Sequence, residues 1–217
     1  MKTYFITGTD TDCGKTYVSC QLLDFLHKRQ KQALAIKPVA SGCVEKNGQL
    51  ESEDVLHLQA HNAGFNQSIN AWQFAAPISP HLAAKNEGVH LTAAEIASFC
   101  RSEHFSTQEY LLIEGAGGVM VPLNDEETWL DFLRLMKIPV ILVVGMRLGC
   151  INHALLSDAV LHANKIPCAG WIANCLDKDM LVLAENIATL SFKMQMPLLA
   201  TIGYQGKLIA DFGGMFE

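Results

Sequence analysis

The segment Gly8-Thr9-Asp10-Thr11-Asp12-Cys13-Gly14-Lys15-Thr16 constrains the fold of this chain more than any other. Before it, Tyr4-Phe5-Ile6 is a short apolar run suited to a buried strand. After it, Tyr17-Val18-Ser19-Cys20-Gln21-Leu22-Leu23 starts an apolar period suited to a helix. Strand, glycine-bounded loop and helix, in that order, aim backbone N–H groups and the positive end of the helix at an anion. The backbone in question is Asp12, Cys13, Gly14, Lys15, Thr16 and Tyr17. Lys15 can reach the outer phosphates and the Thr16 hydroxyl can hold Mg2+. A nucleoside triphosphate site is therefore predicted. Five residues separate Gly8 from Gly14, one more than in the general phosphate-loop pattern, so further parts of such a site must be sought elsewhere.

The 217 residues suit a single domain, 1–217, in which roughly 70% of the unfolded surface is buried. Apolar residues make up half the chain, yet no apolar run approaches the ~20 residues that span a bilayer, and the N-terminal strand is unlike a signal peptide. No membrane partner and a cytoplasmic location are expected. The net charge of −6 argues against nonspecific nucleic-acid binding, which needs basic surface to displace counterions. The seven cysteines, at 13, 20, 43, 100, 150, 168 and 175, contain no Cys-x-x-Cys pair, so neither a zinc site nor a disulfide framework is expected. Cys13 in the loop reads as a space-filling residue.

Short apolar runs alternate with helical patterns. Strands are expected near 2–7, 33–38, 109–114, 139–144, 168–173 and 197–202, and helices near 16–30, 53–61, 92–102, 127–136, 151–163 and 179–191. Leu111-Leu112-Ile113 and Val140-Ile141-Leu142-Val143-Val144 are continuously apolar, as in strands covered on both faces. The pattern predicts an α/β fold with a doubly wound, mainly parallel sheet, helices on both faces and a phosphate loop, with ligands gathering at the carboxyl ends of the strands.

Those strand ends carry polar groups. Lys37-Pro38-Val39-Ala40-Ser41-Gly42 ends an apolar run with a lysine and follows it with a hydroxyl in a glycine-containing loop. Glu53-Asp54 opens a helix, where a carboxylate can cap the N-terminus or bind metal. Ile113-Glu114-Gly115-Ala116-Gly117-Gly118 places an acid directly after apolar strand residues, where it must be paired with a cation. Thr16, Asp54 and Glu114 form a hard-oxygen set suited to Mg2+, and Lys15 and Lys37 bring positive charge. Phosphoryl transfer asks mainly for positioning and charge neutralisation, which this inventory supplies.

With Ser79-Pro80-His81 and Leu148-Gly149-Cys150-Ile151-Asn152-His153-Ala154 added, these blocks resemble, in order, the dethiobiotin synthetases of biotin biosynthesis, from residue 3 to about 175. The longer phosphate loop is that family's form. The resemblance implies an ATP- and Mg2+-dependent ligase that closes a cyclic urea on 7,8-diaminononanoate. The diamine takes up CO2 as a carbamate, ATP phosphorylates the carbamate, and the second amine displaces phosphate. It further implies that Lys15 and Lys37 stabilise the carbamate and the phosphoryl group, and that Thr11 and Ser41 contact the substrate's nitrogen end and the phosphate. Thr16, Asp54 and Glu114 would hold Mg2+, Gly117 would lie along the nucleotide, and Asn174 would read the adenine. Gly149, Cys150, Ile151 and Asn152 begin a helix whose free N–H groups suit the substrate carboxylate. In the family they reach it across a twofold homodimer interface.

Departures are Arg147, where lysine is common, and Thr201-Ile202-Gly203-Tyr204-Gln205, where the family places a proline that lines the adenine pocket. Of eight histidines only His81 and His153 lie in matched blocks, and no paired spacing on one helical face is expected of the rest. A partition- or septum-site-type ATPase switch on the same scaffold would carry a lysine at position 10, which is aspartate here, and often ends in a basic amphipathic helix, unlike residues 210–217. An ATP-dependent amidoligase is the other alternative.

Overall fold

The computed structural model describes residues 1–206; the segment 210–217, weighed above for a terminal amphipathic helix, lies outside them. Strand β1 (Lys2–Gly8) enters the phosphate loop and α1 (Lys15–Lys28) leaves it. There follow β2 (Ala33–Ile36), β3 (Val39–Ser41), β4 (Val44–Lys46), β5 (Gln49–Glu51), α2 (Glu53–His61), β6 (Trp72–Phe74), α3 (Pro80–Asn86) and α4 (Ala93–Cys100). The second half comprises β7 (Tyr110–Gly118), α5 (Trp129–Met136), β8 (Val140–Met146), α6 (Cys150–Ala163), β9 (Cys168–Cys175), α7 (Leu183–Lys193) and β10 (Leu198–Ile202).

Six strands form one sheet in the order β10-β9-β8-β1-β7-β2, and every pairing is parallel. The chain moves to opposite sides of β1 as it adds β2 and β8, so the phosphate loop lies at the point where strand order reverses. All seven residues of β8 are buried, as its unbroken apolar run requires of a strand covered on both faces. On one face the aromatic edge of α5 packs against β1: the Phe5 ring lies 5.3 Å from that of Trp129 and 5.4 Å from that of Phe132. Trp129 also donates its indole N–H to the Ala116 carbonyl at 3.1 Å, tying α5 to the strand end that carries Glu114.

Local chemistry explains where elements differ from sequence expectation. The helix expected at 179–191 begins at Leu183, because Asp177 accepts the Asp179 N–H at 2.9 Å and closes a turn of its own first. Ser41 lies on β3, not in a loop, and β3 pairs in parallel with β6. Strands β4 and β5 form a hairpin about Asn47-Gly48, both at positive φ, a turn signal present in the sequence. Likewise Ser79-Pro80 marks the start of α3, with proline in the first turn where its missing N–H costs nothing.

Candidate active site

A cleft of about 890 Å³ opens at the carboxyl end of β1, between the phosphate loop, α2 and the carboxyl end of β7. Thr11, Asp12, Gly14, Lys15, Thr16, Tyr17, Lys37, Ser41, Asp54 and Gly117 all line it, so residues drawn from four separate sequence blocks meet around one space. Cys13 is predicted with them but turns inward. It is 1% exposed, and its sulfur fills the place that a Cβ on Gly8 would need. Gly14 takes φ +85°, and Asn174 packs so close that a side chain there would strike its amide. Asn174 is buried and donates to the Cys13 carbonyl at 2.9 Å, bracing the loop from behind.

Beneath the cleft lies Glu114, with no exposed surface. Its Oε1 accepts from the Thr16 hydroxyl at 2.7 Å and from the Lys37 ammonium at 2.9 Å, and its Oε2 accepts from the Ser19 hydroxyl at 3.0 Å. Lys37 also donates to Asp54. Burial would lower the Lys37 pKa, but Glu114 and Asp54 outweigh it and hold the ammonium above its usual range. Burial would raise the Asp54 pKa, but Lys37, with help from Thr16 and Lys15, keeps the carboxyl below its usual range. Both groups are therefore charged at neutral pH. Lys15 folds back to donate to the Asp10 carbonyl at 3.0 Å. Burial, reinforced by Glu114, Asp24 and Asp54, pushes the Cys20 thiol at the cleft wall up to about 12, so it stays protonated.

Gly149, Cys150, Ile151 and Asn152 do not join this cleft. They open α6, whose first residues carry no side-chain cap; Gly149 and Asn152 are exposed and Cys150 is buried. Beside them Arg147 donates to Asp10 at 2.6 Å, and Asp10 accepts the Thr11 N–H at 2.8 Å, so the α6 approach is tied to the phosphate loop. Three supporting residues carry no local sequence signal. Ser19 reads as one more small helix residue. Asn70 donates to the Lys37 carbonyl at 2.6 Å, and Asn62 pairs with both the N–H and the C=O of Ala35 at 2.9 Å. His57 and His61 correct the expectation about histidine spacing, since they stand one turn apart on α2 and both line the cleft. His61 is engaged by Asp24 at 2.8 Å, and among the described residues no group of three His, Cys, Asp or Glu is placed to hold a metal.

A divalent ion with two carboxylates, one hydroxyl and phosphate oxygens needs fewer protein acids than that. Thr16, Asp54 and Glu114 supply the hard oxygens Mg2+ prefers, and the carboxylates already converge on one cation, the Lys37 ammonium. The donor set fits such an ion.

A parallel sheet, with a lysine-bearing loop between its first strand and helix and a carboxylate on the neighbouring strand, defines a P-loop nucleoside triphosphatase scaffold. A ParA family ATPase from Chlorobium tepidum superposes with a TM-score of 0.56 at 12% identity, covering 94% of this chain and 84% of that one, a likeness of fold alone. A family model described as an AAA domain matches residues 2–211. The ATP-dependent dethiobiotin synthetase BioD of Legionella pneumophila strain Philadelphia 1 is 53% identical over 208 residues, 96% of each chain. That of Cellvibrio japonicus is 45% identical over 212 residues, 97% of this chain and 92% of the other. The chain belongs to the ATP-dependent dethiobiotin synthetase family. The match over 208 residues carries the likeness well past residue 175.

Proposed function

We propose that this ATP-dependent, dethiobiotin-forming ligase works through the Lys37–Glu114–Asp54 centre and its neighbours in the cleft. One amine of 7,8-diaminononanoate attacks CO2 and loses a proton, giving a carbamate. A carbamate oxygen then takes the γ-phosphoryl group of ATP, releasing ADP. The second amine attacks the carbamate carbon, the urea ring closes, and phosphate leaves with the electron pair of the broken C–O bond. Each early step brings anions together, so fixed cations lower the barrier most. Lys37 and Lys15 supply them from the cleft wall. Thr11 and Ser41 orient the nitrogen end and the transferred group. The backbone from Asp12 to Tyr17, with Gly117, holds the triphosphate, and Asn174 serves the adenine. Mg2+, held by Thr16, Asp54 and Glu114, neutralises phosphate charge when bound.

We infer further that the enzyme acts as a homodimer, in which Gly149, Cys150, Ile151 and Asn152 of one protomer bind the substrate carboxylate in the cleft of the other. Two features support this reading. These residues lie outside their own cleft, and Leu148 beside them is fully exposed. Among the described residues no helix is long and apolar enough to cross a membrane.

The buried bond between Lys37 and Glu114, 2.9 Å long in the cleft floor, carries the reading, since a desolvated ammonium beside a phosphate loop suits an anionic acceptor. Incubation with ATP, Mg2+, bicarbonate and 7,8-diaminononanoate should yield dethiobiotin, ADP and phosphate, with ring closure only when the diamine is present. ATP hydrolysis stimulated by lipid or DNA, without ring closure, would overturn it.

A further inference from the structure

We propose that Ser19 is the positioning residue of this centre: its hydroxyl sets the orientation of Glu114 and keeps it when Lys37 and Thr16 turn to other partners. The inference rests on the reading of Glu114 as a metal ligand. A glutamate's terminal torsion is broad, so the direction of its oxygens is set by their donors. Glu114 has three side-chain donors, and two have other work in the proposed reaction. Lys37 serves the carbamate, and Thr16 offers its oxygen to the ion. Ser19 has no second role, for it is fully buried and does not line the cleft.

Thr16 and Ser19 stand three residues apart on α1, which puts both hydroxyls on one face. The helix thus presents a two-pronged fork, with Thr16 on Oε1 and Ser19 on Oε2. With Oε2 pinned, Oε1 stays directed at the place where Asp54 also points, and where Lys37 now sits. Without Ser19, Oε2 becomes a buried, unpaired anionic oxygen, and the carboxylate rotates to recover a donor. A group that acts only through a ligand is felt in metal affinity, not in substrate recognition.

The test uses Mn2+ as the probe, titrated onto the protein with a non-hydrolysable ATP analogue and followed by the electron paramagnetic resonance of the free ion. Ser19→Ala should weaken Mn2+ binding about tenfold and raise the Mg2+ needed for half-maximal turnover by a similar factor, with KM for the diamine unchanged. In a Glu114→Gln background the same change should add less than about twofold, because the two residues act as one unit. Ser19→Ala protein that melts earlier but binds Mn2+ within about twofold of wild type would assign Ser19 a packing role and overturn the proposal. Should Glu114→Gln itself leave Mn2+ binding intact while wild type still closes the ring, the metal assignment of Glu114 fails and takes the proposal with it; normal loss on Glu114→Gln with no loss on Ser19→Ala defeats the Ser19 inference alone.

Discussion

Lys37 is the counter-ion of Glu114 and, in the proposed reaction, also a reagent, and the two duties should separate on mutation. It is 5% exposed and neutralises Glu114, which has no exposure at all. Lys37→Met should lower turnover at least about a hundredfold, through loss of the charge facing the carbamate. The same change should cost about 3 kcal/mol of stability, read from urea unfolding, because a buried carboxylate loses its partner. Lys37→Gln should lower turnover equally but unfold less readily than Lys37→Met, since its amide can still donate to Glu114. The lysine was legible at a strand end in the sequence; its structural duty was not, because Glu114 lies 77 residues away and only the pairing of β2 with β7 brings them together.

At the scale of elements, two side chains decide how well secondary structure is held. Thr128 and Asp131 form a reciprocal cap on α5: Asp131 accepts the Thr128 N–H at 2.8 Å and also meets Arg134 at 2.8 Å. Burial would raise the Asp131 pKa, but these donors outweigh it and hold the carboxyl below its usual range. A depressed carboxyl contributes stability above its unfolded value near pH 3.9 and loses it as pH falls through the lower folded value. Asp131→Asn should therefore flatten the acid limb of the urea-midpoint profile below about pH 4. Asn62 works differently: its amide supplies the missing neighbour to one residue of the edge strand β2 and roots the end of α2, the helix that carries Asp54. Asn62→Ala should cost about 2 kcal/mol, because a buried N–H and C=O lose their partner. Turnover should fall with it as Asp54 loosens. The α5 cap follows a spacing rule and could be read from the chain, whereas Asn62 could not, since its partner is chosen by sheet order.

For the whole molecule, the separation of the α6 start from the cleft makes a prediction about assembly. Sedimentation should find a dimer, and Leu148→Asp should shift it to monomer, raising KM for the diamine with little change in circular dichroism. Mixing two inactive variants, Lys37→Gln and a form with the Gly149–Asn152 segment replaced, should restore about a quarter of wild-type activity after subunit exchange, because half of the dimers then carry one intact site. No recovery, despite proven exchange, would place each site within a single chain.

Much of this enzyme is written in local pattern. The continuous apolar runs dictate a parallel sheet, the alternation of strands and helices dictates its winding, and glycine before lysine and threonine at the first turn dictates the phosphate loop. These rest on periodicity and on backbone geometry, which a few neighbouring residues settle among themselves. The pairing of Glu114 with Lys37, the bracing of the loop by Asn174, the fork of Thr16 and Ser19, and the exclusion of the α6 start from its own cleft are set elsewhere. Each depends on how distant parts of the chain are placed, as Glu114 is against Thr16 and Ser19, and a buried charge acquires its partner only once the packing of strands has decided which side chains share a space without water.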